Sequence, residues 1–226
     1  MALMPIKLAT ICSAAALGIL AAGCGGGLKY KVDDSAMDQV PSGERQAVFS
    51  ALNELEVAKG EVRTAQSQID ALDRDRDIAK TENEQAKLEV EKATAQMEAA
   101  VASRSENQAA QAKHNKDAAD VGVRAAESKL TWLDEKEEFL EASKKAAEAH
   151  VGAAQTKSEL EKARVAQKKG IKPDGEFDVS NYEDQFKDAQ SDWESAKKKA
   201  SSEEEDAKKA ESSWKELVSA QQKART

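Results

Sequence analysis

The sequence predicts an all-α protein of long amphipathic helices, forming an antiparallel coiled-coil hairpin or an elongated three-helix bundle. Three observations lead there. Charged residues make up 34% of the 226-residue chain and aromatics 4%, too few large apolar side chains for a thick core. Ala, Glu, Lys and Gln dominate, residues that lose little side-chain freedom in a helix, and this is the composition of coiled coils. Apolar residues also recur every seven positions over most of the chain, the period of a helix–helix seam.

The first element is an export signal. Lys7 precedes an apolar run from Leu8 to Ala22, followed by small residues, the layout of a secretory signal peptide over residues 1–23. The stretch Leu20-Ala21-Ala22-Gly23-Cys24 resembles the lipobox of bacterial lipoproteins, with Ala21 where that family usually places Leu. Ala21 and Gly23 also suit ordinary signal peptidase, so plain secretion is a second reading and an uncleaved membrane anchor a third. The resemblance implies that Cys24 is the lipidation site, carrying a diacylglyceryl group and an N-acyl chain. By likeness to Gram-negative lipoproteins, Gly25 implies the outer membrane, with the protein facing the periplasm. Cysteine usage fits: Cys12 lies in the apolar run, so a chain cut before Cys24 keeps a single cysteine and forms no internal disulfide.

Residues 24–43 come next, opening with Gly25-Gly26-Gly27 and ending in Pro41-Ser42-Gly43. They show no helical period and read as the lipidated cysteine followed by a flexible tether.

The body, residues 44–226, divides into helices at about 44–102, 118–169 and 181–224, with a loop at 170–180. In the first, Val48, Leu55, Val62, Ile69, Arg76, Asn83, Val90 and Met97 fall seven apart. Ala51, Ala58, Ala65, Leu72, Ala79, Ala86, Ala93 and Ala100 accompany them. The seam fails at Arg104, Asn107, Gln111 and His114, then returns one residue out of phase at Ala119, Ala126, Leu133, Leu140, Ala147 and Ala154. Residues 103–117 are therefore read either as a reversal or as continuous helix, with no Gly or Pro to decide. Gly170-Ile171-Lys172-Pro173-Asp174-Gly175 stops the second helix. Ser180 and Glu183 form a capping-box pattern for the last, which carries Tyr182, Phe186, Trp193, Ala200, Ala207, Trp214 and Leu217 on one face. Folding about the loop places Trp214 beside Trp132, Phe139 and Leu140. The first helix either folds back as well or pairs with another copy.

Chemistry is sparse. Asp73, Asp75, Asp77 and Glu84 match four places of an EF-hand calcium loop, but Ile78 stands where that loop needs Gly and the heptad seam runs straight through. The two histidines, His114 and His150, are far apart in sequence and have no Cys partners. No metal site, cofactor or catalytic residue is expected, and the chain is read as a non-enzyme. The balance of 34 basic to 42 acidic residues, net -8, lacks the basic stripe that nucleic acid requires. Expected partners are the membrane through Cys24, other proteins or further copies through the seams, and peptidoglycan. The body broadly resembles the small helical murein lipoproteins, which end in a lysine joined to peptidoglycan. This chain ends Lys223-Ala224-Arg225-Thr226, so covalent attachment is not expected. The function expected is a structural or scaffolding role in the cell envelope. The alternative is an adaptor or regulator of a cell-wall hydrolase or an export or efflux assembly.

Overall fold

The computed structural model describes residues 28–171 and 177–225. The expected signal peptide, Cys24, Gly25-Gly26-Gly27 and the turn chemistry expected at 172–175 lie outside them. The described residues contain no strand. Their order is α1 (Asp34–Asp38), a 3₁₀ turn (Ser42–Glu44), α2 (Gln46–Ala102), α3 (Glu106–Lys169) and α4 (Val179–Ala224). At 1.5 Å per residue the 57 residues of α2 span about 86 Å, the 64 of α3 about 96 Å and the 46 of α4 about 69 Å.

The three long helices pack side by side with α3 in the middle. Leu55 and Ala58 meet Ala154, while Leu72 and Ala79 meet Leu133 and Leu140. As the numbers rise on α2 they fall on α3, so the two run in opposite directions. The first helix therefore folds back within the chain. Its Ala-rich stripe is the buried one: Ala58 and Ala79 are at 0% exposure and Ala51 at 1%. Small side chains let the axes approach, and Leu72 and Leu133 fill the space between. The polar interruption in this seam has a partner across it. Arg76 forks onto Asp134, at 2.5 Å, and Glu137 of α3. Asn83, one heptad on, has its side-chain oxygen buried without a protein hydrogen-bond partner.

On its other side α3 meets α4, again in the opposite direction. Trp132 stacks on Trp214, His150 on Trp193, and Arg164 pairs with Glu183. The expected aromatic cluster is thus half formed. Leu140 turns instead to Leu72 on α2, and Phe139 packs at the edge of that same cluster. At 100° per residue, Phe139 lies a heptad from Trp132 and shares its side of α3, whereas Leu140 is turned one position further, towards α2.

Residues 103–117 form a tight reversal followed at once by helix. Ser103, Arg104 and Ser105 make the turn, with Arg104 in the left-handed region at φ 55°. Helix α3 starts at Glu106 rather than near 118; its first turns are largely polar, with Ala112 buried among them. At the other end Gly170, at φ 68°, closes α3 in the left-handed C-cap expected of it, with Ile171 N–H bonding back to Ala166 O at 3.0 Å. The Ser180/Glu183 capping box does not form. Asp178 caps α4 by accepting from Ser180 N–H at 2.9 Å, and this bond holds its carboxyl below the usual range. Glu183 is taken by Arg164.

The tether is the largest departure. Residues 30–40 are not free: they form a strap lying across the ends of α3 and α4, and 3₁₀ geometry at Ser42–Glu44 then turns the chain into α2. Val32, Ala36, Met37 and Val40 are buried at 0–5% exposure against Leu160, Ala163, Ala166, Val179 and Tyr182. A one-turn helix capped by Asp33 replaces the irregular chain expected there.

Candidate functional site

Two features outside the seams are built enough to act on something else. One is the cleft that holds the strap; the other is a furrow between α2 and α4.

The cleft is made by the last turns of α3 and the first of α4. Gln185 brackets the main chain of Tyr30: its Oε1 accepts from Tyr30 N–H at 3.0 Å and its Nε2 donates to Tyr30 O at 3.3 Å. Glu159 Oε2 accepts from Val32 N–H at 2.7 Å, and Tyr182 Oη donates to Lys31 O at 3.3 Å. The Val32 side chain enters the apolar cluster below. Beyond it, Lys162 Nζ bonds Asp34 Oδ1 at 2.7 Å and Glu159 Oε1 at 2.9 Å. Glu159 and Lys162 are buried, at 4% and 8% exposure. Such groups persist only where charge and hydrogen bonds are both matched. Burial alone would lower the Lys162 pKa; the bonds to Asp34 and Glu159 outweigh it and leave it raised. Asp34 is held low mainly by its hydrogen bond to Lys162. Burial, and the nearby Glu159 charge, push Tyr182 up.

The furrow arises because α2 and α4 each pack on α3 from opposite sides. A hollow of about 780 Å³ lies between them, floored by Ala65, Ala146, Ala147 and Ala200 and edged by Glu61, Phe139, Trp193 and Lys197. A second, of about 250 Å³, repeats it further along. Its members Glu82, Ala86, Ala125, Ala126 and Trp214 each stand three heptads from Glu61, Ala65, Ala146, Ala147 and Trp193. The furrow is therefore one face of the heptad pattern, met twice. Val57 and Ile78, exposed at 60% and 56%, are likewise three heptads apart on α2.

Of the residues weighed from sequence, Cys24 lies outside the described residues. Asp73, Asp75, Asp77 and Glu84 sit on uninterrupted α2, exposed, with Asp77 paired to Lys80 at 3.3 Å. Among the described residues, no group of three or more His, Cys, Asp or Glu is placed to hold a metal ion. His150 and His114 lie on α3 far from one another. His150 is a packing residue: Nδ1 is 2.7 Å from Glu61 Oε2 on α2, and the ring stacks on Trp193 of α4 at 4.1 Å. It thereby joins all three long helices at one level. His114 lines an open hollow beside Arg225 at the far end. Among the described residues no helix is long and apolar enough to cross a membrane.

Sequence reasoning missed the strap cleft. Its signal was present: Val32, Ala36, Met37 and Val40 are apolar residues in a segment otherwise Gly- and Asp-rich, and Asp33 followed by Ser35 is cap chemistry. No family model, no curated protein and no solved structure matches the chain.

Proposed function

We propose that the chain is a lipid-anchored helical spacer of the bacterial cell envelope, attached through Cys24 to the outer membrane and projecting into the periplasm. Its body, in this reading, is an elongated antiparallel three-helix coiled coil. The observation that carries the reading is the strap. With Tyr30 fastened to Gln185, five residues separate it from Cys24, a contour of at most roughly 22 Å. The Ser103–Ser105 turn lies at the opposite end of a rod about 96 Å long. An anchor so close to one end of a long body keeps that end at the bilayer and lets the other reach up to the rod's length from it. Two acyl chains or more give lasting membrane attachment, at about 0.8 kcal/mol per buried methylene.

The test is the height of the lipidated protein on a supported bilayer, measured by neutron reflectometry. A protein layer near the rod's length is expected. A layer one or two helix diameters thick, roughly 10–25 Å, would remove the spacer reading, and protein that washes off would remove the anchor.

The furrow favours a second reading, an adaptor that receives a helix of another envelope protein. An Ala-floored channel with heptad spacing suits such a helix. Analytical ultracentrifugation across a wide concentration range separates the cases. A monomer leaves the furrow open to other proteins, whereas a dimer fills it with a second copy and rules out the adaptor.

A further inference from the structure

The strap is held in the manner of a bound peptide. Its irregular part, Tyr30 to Val32, makes four hydrogen bonds through its main chain, all to side chains of α3 and α4 and none to the helix it leads into. Main-chain recognition of this kind accepts a segment for its backbone; specificity then comes from what its side chains meet. Here there are three such places. Tyr30 leans on Tyr182 with ring centroids 5.8 Å apart, Val32 is fully buried, and the Asp34 carboxylate meets Lys162. The partners lie 127 to 155 residues from the strap in sequence, and the connection to α2 is the short Pro41-Ser42-Gly43 link. Nothing in the cleft depends on which copy of the chain supplies the segment.

We propose that the α3–α4 cleft is a peptide-binding site for a non-helical segment with an aromatic residue, a β-branched apolar residue two places on and an acidic residue two further. Its resident ligand is the chain's own strap, and its exchange partner is the strap of a second copy. This inference is independent of the membrane anchor. In one chain the strap is present at the millimolar effective concentration of a short linker, so the cleft is closed to a competitor unless the strap is weakened or cut.

The experiment uses a fluorescent synthetic peptide of residues 28–40 and the full chain in detergent. In Val32→Asp the tethered strap is disabled, because a charge cannot occupy the Val32 pocket. That chain is expected to bind the peptide saturably, and the unaltered chain at least tenfold more weakly. Adding Gln185→Ala to Val32→Asp removes the two bonds to Tyr30 and is expected to weaken binding about tenfold. Three results would overturn the proposal: no saturable binding to a Val32→Asp chain that keeps its helical circular dichroism, equal binding to both chains, or affinity unchanged by Gln185→Ala.

Should Val32→Asp fail to fold, a protease site placed between Ser42 and Gly43 frees the unaltered strap by cutting. Capture of the labelled peptide by the cut chain, read by native mass spectrometry, supports the site. A strap that leaves with no peptide captured, or one that never exchanges, refutes it.

Discussion

Replacing Lys162 by Met tests whether the buried ion pair fastens the strap. The Lys162 side chain is 10% exposed and that of Glu159 5%, whereas Asp34 is 80% exposed. The Asp34 contact is therefore a surface pair worth less than about 1 kcal/mol. The pair with Glu159 dominates, since removing one member of a buried pair costs about 3–5 kcal/mol by stranding the other charge. Glu159 keeps one hydrogen bond, from Val32 N–H, which places the expected cost at the lower end, about 3 kcal/mol. Because Lys162 and Glu159 hold the strap and not the seams, the cost falls on local opening: about 3 kcal/mol is a roughly hundredfold faster exchange of the Val32 amide. Hydrogen exchange read by NMR supplies the measurement, with the α2–α3 seam amides near Leu72 and Leu133 as internal reference. Adding Glu159→Gln removes the stranded charge while keeping an acceptor for Val32, and should recover at least half of the loss. Unchanged Val32 protection in Lys162→Met would refute the reasoning, as would an equal loss at the seam amides.

Three further outcomes are expected. Trp214→Ala should cost about 1–2 kcal/mol in urea denaturation rather than the roughly 3 kcal/mol of a fully buried aromatic, because Trp214 is half-buried, stacked on Trp132 with Lys129 over its ring. Gly60→Ala and Gly152→Ala, in mid-helix with nothing within 4 Å of an added Cβ, should each stabilise the chain by about 1 kcal/mol, seen as a higher urea midpoint. The strap should stay fastened across neutral pH and loosen at both extremes in amide exchange. The lowered Asp34 pKa makes its contribution complete above the ordinary value of 3.8 and lost as pH falls through its lower folded value. The raised Lys162 and Tyr182 values make theirs complete below about 10 and lost at higher pH.

Much of the helical body is legible in the heptads because the outer helices each have one buried face. The stripe from Val48 to Ala93 on α2 and that from Tyr182 to Leu217 on α4 both lie against α3. Helix α3 is harder to read. Leu133 and Leu140 serve α2 while Trp132, Ala142 and Ala146 serve α4, so its apolar residues follow two interleaved stripes and no single period. The reversal at residues 103–105 could not be told from continuous helix in the sequence because Arg104 takes a left-handed conformation that glycine normally marks. The strap escaped for a different reason. It has neither helical nor strand period, and its burial is dictated by side chains more than a hundred residues away, Glu159, Lys162 and Gln185, which read locally as exposed surface of amphipathic helices. The furrow is written in the same heptads, but it becomes visible only once α2 and α4 are known to flank α3.

The most direct test of the spacer account is the mass of the chain's own N-terminus after expression in a Gram-negative cell and recovery from the membrane fraction. The account predicts that the N-terminal peptide begins at Cys24 and carries a diacylglyceryl group with an additional acyl chain. An unmodified Cys24, or a chain recovered in soluble form with its N-terminus elsewhere, would contradict it.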